Sequence, residues 1–151
     1  SEGKNMIIAF AADHGGYELK DALKKHVIGR GIKTIDLGTH STEPVDYPEY
    51  GKLCGQAVAS GKADLGIVCC GSGIGISIAA NKVHGVRCAL CTSVVMATLA
   101  KQHNNANMLS FGGRIVTPEL ACAMVDAWLD SEWLGSTAER HKRRVAMLDE
   151  M

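Results

Sequence analysis

The hydrophobic pattern of the chain alternates between two periods. Met6 to Ala12, MIIAFAA, is a nearly unbroken apolar run with the length of a strand covered on both faces. After the Gly15-Gly16 break, Leu19, Ala22, Leu23, His26 and Val27 recur at helical spacing until Gly31 closes the segment. The same alternation predicts strands over 32–37, 64–70, 86–91 and 107–112. Between and after them it predicts helices over 46–60, 75–83, 93–103 and 118–130, the last opened by Thr117-Pro118. Residues 137–150 read as a charged helical tail. Five strand–helix units with short connections imply right-handed crossovers and a five-stranded parallel sheet between two helical layers, a three-layer α/β fold.

The 151 residues suit one domain, expected to span 6–151, with SEGKN a cloning remnant or disordered start. Sixteen Lys plus Arg balance sixteen Asp plus Glu, so no cationic surplus is present to hold nucleic acid by counterion release. The start lacks the basic-then-apolar grammar of a signal peptide, and no apolar run has the length of a spanning helix. The expectation is a cytoplasmic protein with no membrane partner. All six cysteines lie in apolar stretches, which favours buried free thiols over disulfides, and no Cys/His spacing suggests zinc.

In a parallel α/β sheet, ligands bind beyond the carboxyl ends of the strands. There the pattern places Asp13-His14-Gly15-Gly16, the loop CGSGIG from Cys70 to Gly75, and Gly112-Gly113-Arg114; the end of the fourth helix, Gln102-His103-Asn104, is grouped with them. The CGSGIG loop lacks the spacing and downstream acid of a dinucleotide fingerprint. Its glycines let backbone approach a ligand, and amides at a helix start suit a phosphate or an enediolate. A tight turn alone would account for the glycines; Cys70 and Ser72 within the loop favour a site. Cys70 stands just before those amides, where a thiolate is favoured as base or nucleophile, whereas Cys69 points to the opposite face as a core residue. His14 suits an anion or proton exchange, with Asp13 orienting it or acting on a hydroxyl. His103 could do no more than satisfy helix-end carbonyls, and Asn104 and Asn107 add hydrogen-bonding capacity. His26, His40, His84 and His141 are assigned structural or exposed places. Arg140 and Arg144, four apart on the tail helix, can face one anion together; RHKRR alone would be a solvated face, but Arg114 gives an independent reason to expect an anion.

AADHGGYELK, DYPEY, CGSGIGISIAANK, QHNNANML and FGGR, in this order and over nearly the whole chain, resemble the ribose-5-phosphate isomerase B family. The resemblance implies a Rossmann-like sheet and an aldose–ketose isomerase that needs neither metal nor cofactor. It implies a homodimer or a dimer of dimers whose active sites are shared between subunits. Cys70 then corresponds to the enediol base that moves a proton between C2 and C1, and Ser72 to its hydroxyl partner. The amides of Gly71, Gly73, Ile74 and Gly75, assisted by Asn104, correspond to the enediolate cradle. His103 corresponds to the ring-opening histidine, with Asp13 nearby. His14, Arg114, Arg140 and Arg144 correspond to phosphate contacts, the tail pair lent by the other subunit, and Tyr47 lies beside the substrate. One branch of the family replaces the cysteine and takes a glutamate as base; Ile76 stands at that position here, which places this chain with the cysteine branch. The expected reaction is D-ribose 5-phosphate to D-ribulose 5-phosphate through a cis-enediolate. A six-carbon phosphate of allose or galactose, or a non-catalytic sugar-phosphate sensor, are the alternatives; a sensor would need neither Cys70 nor His103.

Overall fold

A computed structural model describes residues 5–151; the opening residues 1–4, and with them most of the expected leader, lie outside the described residues. Strands β1 (Ile7–Ala12), β2 (Lys33–Asp36), β3 (Leu65–Cys70), β4 (Cys88–Leu90) and β5 (Met108–Gly112) alternate with helices α1 (Tyr17–Gly29), α2 (Tyr47–Ala59), α3 (Ile74–Asn81), α4 (Val94–Asn104) and α5 (Pro118–Asp130). A 3-10 turn at Leu134–Ser136 leads into α6 (Glu139–Asp149), the predicted tail. The sheet is all parallel with the order β2-β1-β3-β5-β4. The expected three-layer α/β fold is therefore present.

Strand alternation sorts the apolar residues into two cores. Ile8, Phe10, Cys69, Leu109 and Phe111 face one side and pack with Leu23, Ala97, Met124 and Trp128 from α1, α4 and α5. Ala9, Ala11, Val68, Cys70 and Met108 face the other and pack with Cys54, Val58, Ile76 and Ala80 from α2 and α3. β4 is shorter than predicted because the Arg87 amide donates to Asn107 Oδ1 at 2.8 Å, which takes it out of the ladder. Asn107 also donates to the Gly85 carbonyl at 2.9 Å, so its expected polar capacity is spent on this turn. Helix starts follow local chemistry: Ser93 Oγ accepts the Met96 amide of α4, and Thr117 Oγ1 the Leu120 amide of α5. Among the described residues, no helix is long and apolar enough to cross a membrane.

Candidate active site

Three loops at the carboxyl edge meet almost entirely through main chain. A Cβ built at Gly15 would lie 2.9 Å from the Gly71 nitrogen, and one at Gly112 would lie 2.5 Å from the Ser72 oxygen. Gly113 and Gly16 are as tightly enclosed by the Gly15 and Cys69 carbonyls. The Gly113 and Arg114 amides donate to the Cys70 and Gly71 carbonyls at 2.8 and 3.0 Å, tying the loop after β5 to the loop after β3. Glycine is required at these contacts because any side chain would drive the loops apart.

Within this frame Cys70 sits 4 % exposed, and its sulfur accepts the Gly73 amide at 3.1 Å. A thiolate accepts such a bond better than a thiol does. Among the described residues the other buried thiols have no such donor: Cys54 donates to the Ala9 carbonyl, and burial pushes its thiol up to about 12 and that of Cys91 up to about 11. Burial also raises Cys69, which lies in the opposite core, as the alternation required. All six cysteines are free, four buried and Cys88 and Cys122 only partly so.

Gly73 adopts a left-handed φ of +78° at the start of α3, and its carbonyl is held by Ser110 Oγ at 2.7 Å. Ser110 was not singled out from the sequence, although a lone hydroxyl in the strand MLSFG is the signal that could have found it. Ser72 Oγ accepts the Ile74 amide at 3.1 Å rather than pairing with Cys70. Of the four expected cradle amides, Gly73 and Ile74 are thus engaged locally; those of Gly71 and Gly75 have no protein acceptor among the described residues. The Tyr47 ring lies over Gly75, with its Cζ 2.5 Å from where a Cβ would be. Ile76 is fully buried in the α2–α3 core and offers no base.

Asp13 does not orient His14. Its Oδ1 accepts the amides of Gly15 at 2.9 Å and Gly16 at 3.2 Å, which shapes the turn after β1. His14 Nδ1 instead accepts the Val45 amide at 3.1 Å, which puts the proton of the neutral ring on Nε2. Val45 belongs to a loop fixed by the buried Lys20, whose Nζ donates to the Thr39 carbonyl at 2.8 Å and to Asp36 at 2.6 Å. Arg114 lies against Gly15 and Gly71 without an acidic partner among the described residues.

His103 and Asn104 are not part of this cluster. α4 starts beside the carboxyl edge, where the Cys91 amide meets the Ser110 carbonyl, and runs about 16 Å to the amino edge before β5 starts. There the Gly66 amide meets the Asn107 carbonyl, and Gly66 is four residues back along β3 from Cys70, roughly 13 Å of strand. The expected grouping of His103 with the strand-end loops is therefore corrected for a single chain. Its companions are on α6: the His103 and His141 rings stack at 4.4 Å between centroids and 12° between planes. Burial, then Arg140, His103 and Arg144, hold His141 below the usual histidine value. His141 and Val145 are the buried stripe of α6, which turns the exposed Arg140 and Arg144 out on the adjoining rows. Trp128 Nε1, bonded to the Ala106 carbonyl at 3.0 Å, ties down the turn that follows α4, three residues beyond His103. A cavity of about 500 Å³ opens at the same edge, lined by His84, Arg87, Asn104 and Asp149 among others; it lies away from Cys70 and includes none of the other candidate residues.

The profile of the Ribose/Galactose Isomerase family matches residues 8–148. The chain belongs to that family. Ribose-5-phosphate isomerase B of Escherichia coli is 48% identical over 138 residues, which is 91% of each chain. Ribose-5-phosphate isomerase B of Clostridium thermocellum superposes with a TM-score of 0.92 at 48% identity, covering 96% of both chains. Ribose-5-phosphate isomerase B from Mycoplasma genitalium, determined with bound ribulose-5-phosphate, gives a TM-score of 0.91 at 35% identity over 98% of this chain and 97% of that one. This member of the ribose/galactose isomerase family is thus an isomerase with the fold of its B-type relatives, its candidate residues divided between the two edges of one sheet.

Proposed function

We propose that the protein interconverts D-ribose 5-phosphate and D-ribulose 5-phosphate, with Cys70 as the base. The observation that carries this reading is the Cys70 sulfur held on the Gly73 amide at the mouth of a glycine-built loop. Open-chain aldose loses its C2 proton to the Cys70 thiolate, and the enediolate regains a proton at C1. Ser72 serves proton movement between O1 and O2. The Gly71 and Gly75 amides, together with Asn104, receive the enediolate oxygen. Ring opening precedes this: the C1–O4 bond breaks as O4 takes a proton from His103 and the O1 hydroxyl gives its proton to Asp13. His14 and Arg114 hold the phosphate from one side, Arg140 and Arg144 from the other.

Such a site needs two chains, since the amino-edge and carboxyl-edge groups of one chain are a strand length apart. α3 and α4 flank the edge strand β4 on its two faces, and both turn apolar residues to solvent, including Ile78 at 55% and Val95 at 65% exposure. A two-fold axis through this patch sets the carboxyl edge of one chain against the amino edge of the other, and it does so twice. A homodimer with shared sites, alone or as half of a tetramer, follows. Six free thiols suit a reducing compartment and support a cytoplasmic setting.

The test is turnover of ribose, allose and galactose phosphates side by side, with solvent deuterium incorporation at C2 followed by NMR. Preferential turnover of the five-carbon phosphate is expected. Faster turnover of a six-carbon phosphate would reassign the substrate, and binding without turnover would make the protein a sensor.

A further inference from the structure

A histidine that moves protons is ordinarily oriented through its second ring nitrogen, by a carboxylate or a carbonyl. His103 has no such partner: among the described residues neither of its ring nitrogens is hydrogen-bonded to protein. What constrains the ring is its face, laid on His141 at 4.4 Å and 12°. His141 is 7 % exposed, anchored on α6 by the same buried stripe as Val145, and so cannot easily follow a rotation of its neighbour. The groups facing it are His103 on α4 and Arg140 and Arg144 on its own helix, all of which oppose a positive charge there. Two imidazolium rings in this stack would repel.

We propose that His141 is a positioning residue for ring opening, a platform whose ring face sets the plane of His103 and leaves both His103 nitrogens turned to the substrate. The proposal rests on the reading of His103 as the ring-opening group. It assigns His141 a task separable from the placement of Arg140 and Arg144. Any shift of those arginines affects every phosphorylated substrate alike. Loss of the ring plane affects only substrates that must be opened.

Two reactions of the same site separate these effects. Conversion of D-ribose 5-phosphate starts from a furanose. Exchange of the C1 proton of D-ribulose 5-phosphate with deuterated solvent needs the enediolate but no ring, because its O5 is phosphorylated. In the full-length protein, His141→Leu is expected to slow the furanose reaction about 10- to 100-fold, the scale of a displaced reacting group, with C1 exchange little changed. His141→Phe, which keeps a ring face, is expected to restore the furanose reaction. If the leucine variant does not fold, His141→Gln, which also lacks a ring face, takes its place. Equal losses in both reactions, an unaffected furanose reaction, or a phenylalanine variant as slow as the leucine one would each overturn the proposal. His103→Asn runs alongside: if it shows no difference between the two reactions, the ring-opening reading fails first and the proposal falls with it. If it shows the difference and His141→Leu does not, the platform alone is refuted.

Discussion

Cys70 differs from its neighbour Cys69 less in burial than in what reaches its sulfur. Both thiols are at the end of β3, but one accepts a backbone N–H and the other lies in the apolar core on the opposite face of the sheet. Replacing Cys70 with alanine is therefore expected to abolish isomerisation and the C1 exchange together, a loss of at least about 10²-fold, while calorimetry still detects sugar-phosphate binding. Cys69→Ala should leave both reactions near the level of the unaltered protein. Near-normal turnover in the Cys70 variant would move the role of base to Asp13, the next acidic group at that edge. The placement of Cys70 against a loop amide was legible from its position before a glycine-rich helix start. The partners of His14 and Asp13 were not: adjacency in sequence suggested that they bond each other, whereas the turn after β1 consumes Asp13 Oδ1 and a loop some thirty residues away supplies the amide for His14.

Elements were legible nearly to their ends because strand and helix periods differ and glycines or capping residues mark most changes. The edge of the sheet on which His103 falls was also implicit, since a helix that precedes a parallel strand must end where that strand begins. What order alone did not convey was the stack on α6, which depends on the 3-10 turn at Leu134–Ser136 returning the tail across α4. Caps and buried pairs hold these elements at their angles. Ser93→Ala and Thr117→Ala should each cost about 1 kcal/mol of stability, read as a lowered Tm. Asp36 provides a pH test. Its burial favours the neutral acid, but hydrogen bonds from Lys20, Lys24 and the Gly38 amide outweigh that and hold it at about 2, against 3.8 for a free aspartate. A folded-state value below the unfolded one gives stability that is present above about pH 4 and is lost as pH falls toward 2, in total roughly 2 kcal/mol. Acid unfolding curves should show that loss in the unaltered protein and not in Asp36→Asn.

Across the whole molecule, the distance between the two edges turns a statement about residues into one about copies. Mixing Cys70→Ala chains with Arg140→Ala/Arg144→Ala chains, each inactive alone, should restore activity once subunits exchange, because a mixed dimer keeps one site with neither defect. No recovery after demonstrated exchange would assign the arginines to their own chain or to no site. If the proposed dimer forms through the patch beside β4, a charge on the exposed Leu99 of α4, as in Leu99→Glu, should dissociate it and silence the enzyme without unfolding the chain, seen as a halved mass in solution with unchanged circular dichroism. The glycine contacts between Gly15, Gly71, Gly112 and Ser72 have a different reach. A wall made of main chain presents the same atoms whatever the genetic code supplies, so point mutation has almost no vocabulary with which to edit it. The heart of the cleft is closed to gradual change, and any drift toward sugars of another length has to be written at its rim, in side chains such as Tyr47.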